Sequence, residues 1–133
     1  MAKVSVFISF PHSDELWVRE FVKSLRQHGL EVWPDEQSVQ AGESWEDALE
    51  RGLRESHVMV LDVTPDSLKS PNLFFELGTA LGTHKQIISI ISREVDPASL
   101  PPVLRAKKFL VKSSPRTTAE ELVFETLGAP AGL

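Results

Sequence analysis

The segment His57-Val-Met-Val-Leu-Asp62 is apolar almost throughout, and it narrows the possible folds more than any other stretch. A strand with one wet face alternates apolar and polar residues. A strand without that alternation must be covered on both faces, as central strands of parallel sheets are. Around this run the chain alternates strand and helix signals, the mark of an α/β architecture. Val4 to Phe10 reads as a buried first strand. Ser13-Asp14-Glu15 opens a helix with an N-cap and two acids in its first turn, where the helix dipole favours them. Trp17, Val18, Phe21, Val22 and Leu25 give that helix its apolar face, and His28-Gly29 ends it. Leu30 to Trp33 is a short second strand.

Pro34 to Glu43 reads as a long polar loop. Ser44 with Asp47 forms a capping arrangement, and Ala48, Leu49 and Leu53 give the next helix face. Thr64 to Ser70 is a turn leading into another helix. Gln86 to Ile91 is the fourth strand, Arg93 to Pro102 a Pro-containing loop, and Lys107 to Lys112 an alternating edge strand. Thr117 and Thr118 start a last helix with Leu122, Val123 and Leu127 facing in. Five strands with intervening helices predict a flavodoxin-like three-layer fold. It has a five-stranded parallel sheet, order 2-1-3-4-5, with helices on both faces. Residues 1–128 form the domain, and 129–133 a tail or the start of a linker.

Composition removes whole classes of function. The chain has 133 residues, enough for one core. It contains no cysteine, which excludes disulfides, thiol nucleophiles and thiolate metal sites. The four His are scattered without metal-ligand spacing, so no metal is expected. The net charge is −5 with no basic stripe, which argues against direct nucleic-acid binding. Lys107-Lys108 and Arg51/Arg54 read as solvated faces. No apolar run approaches the roughly 18 residues of a membrane span, and the N-terminus does not resemble a signal peptide. These features favour a cytoplasmic protein.

One carboxylate stands out. Glu76 lies inside Ser70-Pro-Asn-Leu-Phe-Phe-Glu-Leu-Gly-Thr-Ala-Leu-Gly82. Ser70 fits an N-cap and Pro71 a first helical residue. Leu73, Phe74, Leu77, Ala80 and Leu81 define a core stripe, and Glu76 falls at its edge. In a doubly wound sheet, ligands bind beyond the carboxyl ends of the strands, at the switch between strands one and three. The loops there run from Phe10 to Asp14, Pro34 to Trp45 and Asp62 to Ser70, and the Glu76 helix follows the third. Phe75 lies opposite the stripe, near Gly78 and Gly82. An outward Phe beside small residues marks a contact face for another copy or another domain.

These residues resemble a known family. Val6-Phe-Ile-Ser-Phe-Pro-His-Ser-Asp14 resembles the first sequence box of TIR (Toll/interleukin-1 receptor) domains. Gly29-Leu-Glu-Val-Trp-Pro-Asp35 with Gly42-Glu-Ser-Trp45 resembles the second strand and long loop. Val58-Met-Val-Leu61, Ser67-Leu-Lys-Ser70 and Phe75-Glu-Leu-Gly-Thr-Ala80 resemble the third strand and the helix with the family's Glu. The match is to the prokaryotic-type, NAD-cleaving branch. The resemblance implies an NAD+ glycohydrolase or cyclase that breaks the nicotinamide–ribose bond, with NAD+ as substrate and no further cofactor. Glu76 is then the catalytic carboxylate. Phe10, Pro11, His12, Asp35, Gly42, Trp45 and Ser70 are substrate-binding candidates. It also implies self-association, with Phe75, Gly78 and Gly82 as the contact face. A sensor or effector domain in cis or in trans, and a role in bacterial immune or stress signalling, follow from the same resemblance.

Other readings of these residues stay open. Phe10 fits strand-end packing, Trp45 a staple pinning a helix start to the core, and His12 an ordinary loop residue. The domain fits a non-catalytic TIR interaction module as well. A nucleoside deoxyribosyltransferase-like enzyme, also built around one Glu, is a more distant reading. A receiver-like phosphoacceptor domain would use Asp62 at the end of strand three, Ser92 after strand four and Lys112 at the end of strand five. That reading wants acids at the end of strand one, where this chain has Ser9-Phe10-Pro11. Asp62 otherwise fits a turn or cap residue.

Overall fold

The computed structural model describes residues 4–33, 39–69, 85–105 and 109–127. Strand β1 (Ser5–Ser9) runs into a 3₁₀ turn at His12–Asp14 and then helix α1 (Glu15–Gln27). Strand β2 (Glu31–Trp33), helix α2 (Trp45–Glu55) and strand β3 (Val58–Val63) follow. After β4 (Gln86–Ile91) come a single helical turn α3 (Pro102–Arg105), the edge strand β5 (Phe109–Val111) and helix α4 (Pro115–Leu127).

The five strands form one sheet in the order β2-β1-β3-β4-β5, and every pairing is parallel. The expected topology is therefore the observed one. Its cause is visible in burial. All six residues of β3 are buried, so the strand needs cover on both faces. One face packs under α2 and α3 through Phe7, Trp33, Ala48, Leu53, Met59, Leu61, Ile91 and Leu104. The other packs under α1 and α4 through Val6, Ile8, Val18, Phe21, Leu25, Val60, Ile90 and Leu122.

Local signals account for most element ends. Gly29 has φ +86° just beyond α1, a conformation that costs glycine little. The Ser44 hydroxyl accepts the Asp47 amide at 3.1 Å and caps α2. Three expectations need correction. Ser13 does not cap α1: the chain makes a 3₁₀ turn first, and the helix starts at Glu15 with no side-chain cap bond. Helix α4 begins at Pro115, a residue suited to a first turn, and not at Thr117. Leu127 is half exposed at the end of α4, where Thr118, Ala119 and Leu122 are buried and Val123 packs against the core as expected.

Candidate functional site

The switch between β1 and β3 places their following loops on one rim. Beyond Ser9, Phe10 is half-buried and packs against the α1-side core. Its strand-end packing role is therefore real. Pro11 is extended, and the turn behind it closes through the Asp14 amide donating to the Pro11 carbonyl at 3.0 Å. The His12 side chain is 95% exposed, and its Nδ1 lies 3.8 Å from Glu15 Oε2. Ser13, free of a capping role, donates its hydroxyl to Asp66 Oδ2 at 2.7 Å. That bond ties the first loop to the loop after β3. The β3 loop is itself braced: the Thr64 amide donates to Ser67 Oγ, and the Ser67 amide donates to Thr64 Oγ1.

The described end of the long loop, residues 39–44, is fastened from below. Val39 packs against the α2-side core. Gly42 sits at φ +82° in the turn before α2. Glu43 accepts from Arg51 Nε at 3.0 Å, from Arg51 Nη2 at 2.9 Å and from the Gln40 amide at 3.0 Å. The Arg51 guanidinium lies 5.0 Å over the Trp33 ring. Hydrogen bonds from Arg51 and then Gln40 lower the Glu43 carboxyl to about 2. Arg51 is thus a paired, stacked anchor and not part of a solvated face. Trp45 follows directly as the first residue of α2 and is 44% exposed, so it does not staple the helix to the core.

The third anchor is buried. Asp62, near the end of β3, is 1% exposed, and its Oδ1 accepts from Lys112 Nζ at 3.1 Å. The same ammonium pairs with Asp14 Oδ2 from the first loop and lies 4.3 Å over the Trp17 ring. Trp17 in turn donates Nε1–H to the Ser113 carbonyl at 3.1 Å, which holds the strand-five end against α1. Burial first, and the hydrogen bond with Asp14 second, push the Asp62 carboxyl up to about 8. Asp62 is therefore a buried strand residue paired with Lys112, and not a turn or cap residue. Above the cluster opens a pocket of about 430 Å³ lined by Ser13, Asp14, Thr64, Asp66, Ser92 and Lys112, among others. Its hydroxyls and carboxylates suit a ligand's hydroxyl groups and disfavour its phosphates.

The rim thus brings Phe10, Pro11 and His12 onto one loop, and Gly42 and Trp45 onto another. None of these five lines the pocket over Lys112. Glu76, Asp35, Ser70, Phe75, Gly78 and Gly82 lie outside the described residues. Sequence reasoning passed over Asp14 as a mere first-turn acid and missed its pairing with Lys112. The available signal was positional: an Asp near the end of a central strand and a Lys ending an edge strand share a rim in this fold. The receiver-like reading gains an acid from Asp14. Against it, a carboxyl that is almost fully buried and tied to Lys112 is poorly exposed for attack on a phosphodonor. Among the described residues no group of His, Asp and Glu side chains is placed to hold a metal ion. No described helix is long and apolar enough to cross a membrane.

Comparison with known proteins agrees with this architecture. The TIR_2 family, described as TIR domain, matches residues 6–123. The chain is 31% identical over 90 residues to "2' cyclic ADP-D-ribose synthase AbTIR" of Acinetobacter baumannii (strain 1295743), covering 64% of this chain and 34% of that protein. It is 35% identical over 66 residues to "Probable 2' cyclic ADP-D-ribose synthase TcpO" of Methanobrevibacter olleyae, covering 49% of this chain and 19% of that protein. The chain therefore spans about a third of one relative and a fifth of the other. Among solved structures, the TIR domain of the Toll-related receptor TRR-2 from Hydra magnipapillata superposes with a TM-score of 0.66 at 20% identity, covering 92% of this chain and 93% of that one. The CMP N-glycosidase BcmB of Clostridium botulinum gives 0.61 at 14% identity, covering 89% and 97%. At these identities the two structures speak for the fold alone.

Proposed function

The chain belongs to the TIR domain family, and from that premise we propose that it cleaves NAD+ at the nicotinamide–ribose bond with Glu76 as the catalytic carboxylate. The observation that carries this reading is the 31% identity, over 64% of the chain, to a protein named as a 2' cyclic ADP-D-ribose synthase. The rim supports it. The first loop and the long loop, which carry most of the substrate-binding candidates, are each tied down by a carboxylate–cation contact.

The chemistry suits a single acid. Nicotinamide is bound in NAD+ as a cation. When the C1′–N bond breaks, the electron pair stays on the ring nitrogen and nicotinamide leaves neutral, so no general acid is needed. The ribose becomes oxocarbenium-like, and a nearby carboxylate stabilises that charge. Attack at C1′ by water, which loses a proton, completes hydrolysis. Attack by a hydroxyl of the same molecule closes a ring. Phe10 and Trp45 offer ring faces for a base, and the Gly42 turn lets backbone approach the substrate. By motif, Ser70 and Asp35 are further substrate-binding candidates. Self-association through Phe75, Gly78 and Gly82, a partner sensor or effector domain, and a role in bacterial defence signalling belong to the same proposal.

Following nicotinamide release from NAD+ tests it, with the protein dilute and then concentrated with a crowding agent. Glu76→Ala is expected to lower turnover by about 10²–10³-fold, the loss typical of removing one transition-state stabiliser. Wild type releasing no more nicotinamide than Glu76→Ala under either condition would leave a non-catalytic interaction module.

A further inference from the structure

The cluster of Asp14, Lys112 and Asp62 holds two carboxyls and one ammonium, and one of the carboxyls is sealed. Asp62 Oδ1 has Lys112 as its donor, whereas Oδ2 is buried and receives no donor among the described residues. A bare carboxylate oxygen in that position would be an unsolvated anion, which is costly. A proton on Asp62 removes the charge and turns the group into a donor toward Asp14. Asp14 then balances Lys112, and the cluster is neutral. Without the proton it carries a net negative charge under cover.

Among the described residues, the groups facing Asp62 are few. Asp14 comes from the start of α1 and Lys112 from the chain beyond β5. On the neighbouring strand β4 its register partner is the apolar Ile90. On β1, Ser9 stands beside Leu61, one residue before Asp62, and carries no charge. Asp66 and Glu94 line the pocket onto which Lys112 opens, and both are acids that oppose a second negative charge. Through Asp14 the cluster reaches the first loop directly. Asp14 closes the turn onto Pro11, and Ser13 beside it holds Asp66.

We propose that Asp62 and Lys112 are positioning residues for the first loop, and that a single proton shared between Asp62 and Asp14 keeps that loop seated at the rim. Loss of the proton sets two like charges beside each other and makes them compete for one ammonium. The loop carrying Phe10, Pro11 and His12 then loosens as pH rises. The activity arm of this inference rests on the NAD-cleaving reading, and the structural arm does not.

The sign follows from linkage. Burial and the Asp14 bond raise Asp62 from its usual 3.8 to about 8. The folded chain therefore holds this proton more tightly than the unfolded chain. The associated stability is complete below about 3.8 and is lost as pH rises through about 8.

Carbon-13 NMR of the wild-type Asp62 carboxyl is the direct test, read from pH 4 to 10 together with the amide signals of residues 10–14. The carboxyl and those amides are expected to titrate together, with a midpoint near 8. In Asp62→Asn, which keeps the shape and cannot ionise, the amides should not move over that range. Its melting temperature should fall clearly less than that of wild type between pH 5 and 9. If nicotinamide release is present, its alkaline decline should vanish in Asp62→Asn. A carboxyl midpoint below about 5 overturns the shared proton. Amides that titrate alike in wild type and Asp62→Asn, or an unchanged alkaline decline in the variant, overturn the positioning role. Absence of nicotinamide release in every protein counts against the NAD-cleaving reading alone, since the NMR result stands without it.

Discussion

Two carboxylate–cation contacts fasten two loops of the same rim, and they are built in opposite ways. Glu43 receives three donors, two from Arg51 and one from the Gln40 backbone, and keeps its charge down to about 2. Among the described residues Asp62 has one donor, Lys112, an acid as its neighbour and almost no exposure, and burial pushes its carboxyl up to about 8. Both carboxyls pair with a cation, so the cation alone does not decide the ionisation state. The balance between donor count and desolvation does. One consequence concerns pH. The long-loop anchor depends on a charge that acid removes, and the first-loop anchor depends on a proton that base removes.

Lys112→Met breaks the comparison at its stronger end and has the largest expected effect. It leaves Asp62 without its ammonium donor and Asp14 without its partner, in a cluster where Lys112 is 12% exposed. Removing one member of a buried pair costs about 3 kcal/mol or more. Urea denaturation at pH 7 reads this, and a loss below about 1 kcal/mol would mean that the cluster is only a surface contact.

Gly52→Ala comes next and attacks the floor of the other anchor. A Cβ on Gly52 would stand 2.5 Å from Trp33 Cδ2 and 2.6 Å from Cε3, closer than packed carbons approach. The buried Trp33 ring would have to move, and Arg51 lies over it. Overpacking costs about 1–3 kcal/mol, against a helix-propensity gain of up to about 1 kcal/mol for leaving glycine. A net destabilisation is expected in the same urea titration. A variant as stable as wild type would show that Trp33 is free to shift under Arg51.

The two anchors were unequally legible in the sequence. The sheet order followed from continuous apolar runs and short parallel crossovers, and β4 was placed to the residue because Lys85 and Ser92 bracket its apolar core. The cap at Ser44 and the stop at Gly29 rest on nearest-neighbour chemistry, which a sequence displays. Long-range pairing is not displayed. Asp62 and Lys112 lie 50 residues apart, and Asp14 joins them only because a 3₁₀ turn swings it back over the strand ends. Arg51 looked solvated because its helix neighbours are charged, whereas Trp33 and Glu43, on other elements, give it cover. Of the site itself, the loops converged as the topology demands. Glu76 rests on motif and chemistry, outside the described residues.

Glu43→Gln makes the smallest change and sharpens the contrast most. The Glu43 carboxyl is held from its usual 4.5 down to about 2, chiefly by Arg51. The folded chain therefore binds this proton less tightly than the unfolded chain. The associated stability is present above 4.5 and lost as pH falls through about 2, the reverse of Asp62. Wild type should lose more melting temperature than Glu43→Gln between pH 5 and 3. The difference should be small, because the pair sits at the rim and solvent screens it. The variant should leave the Asp62 midpoint near 8 unmoved. Arg51 stands over Trp33 in the α2-side core, whereas Lys112 stands over Trp17 on the α1 side, so the two anchors lie against opposite faces of the sheet. Well-separated groups act additively. A shift of the Asp62 midpoint in Glu43→Gln would show that the two loops are one coupled unit, and that the rim opens as a whole.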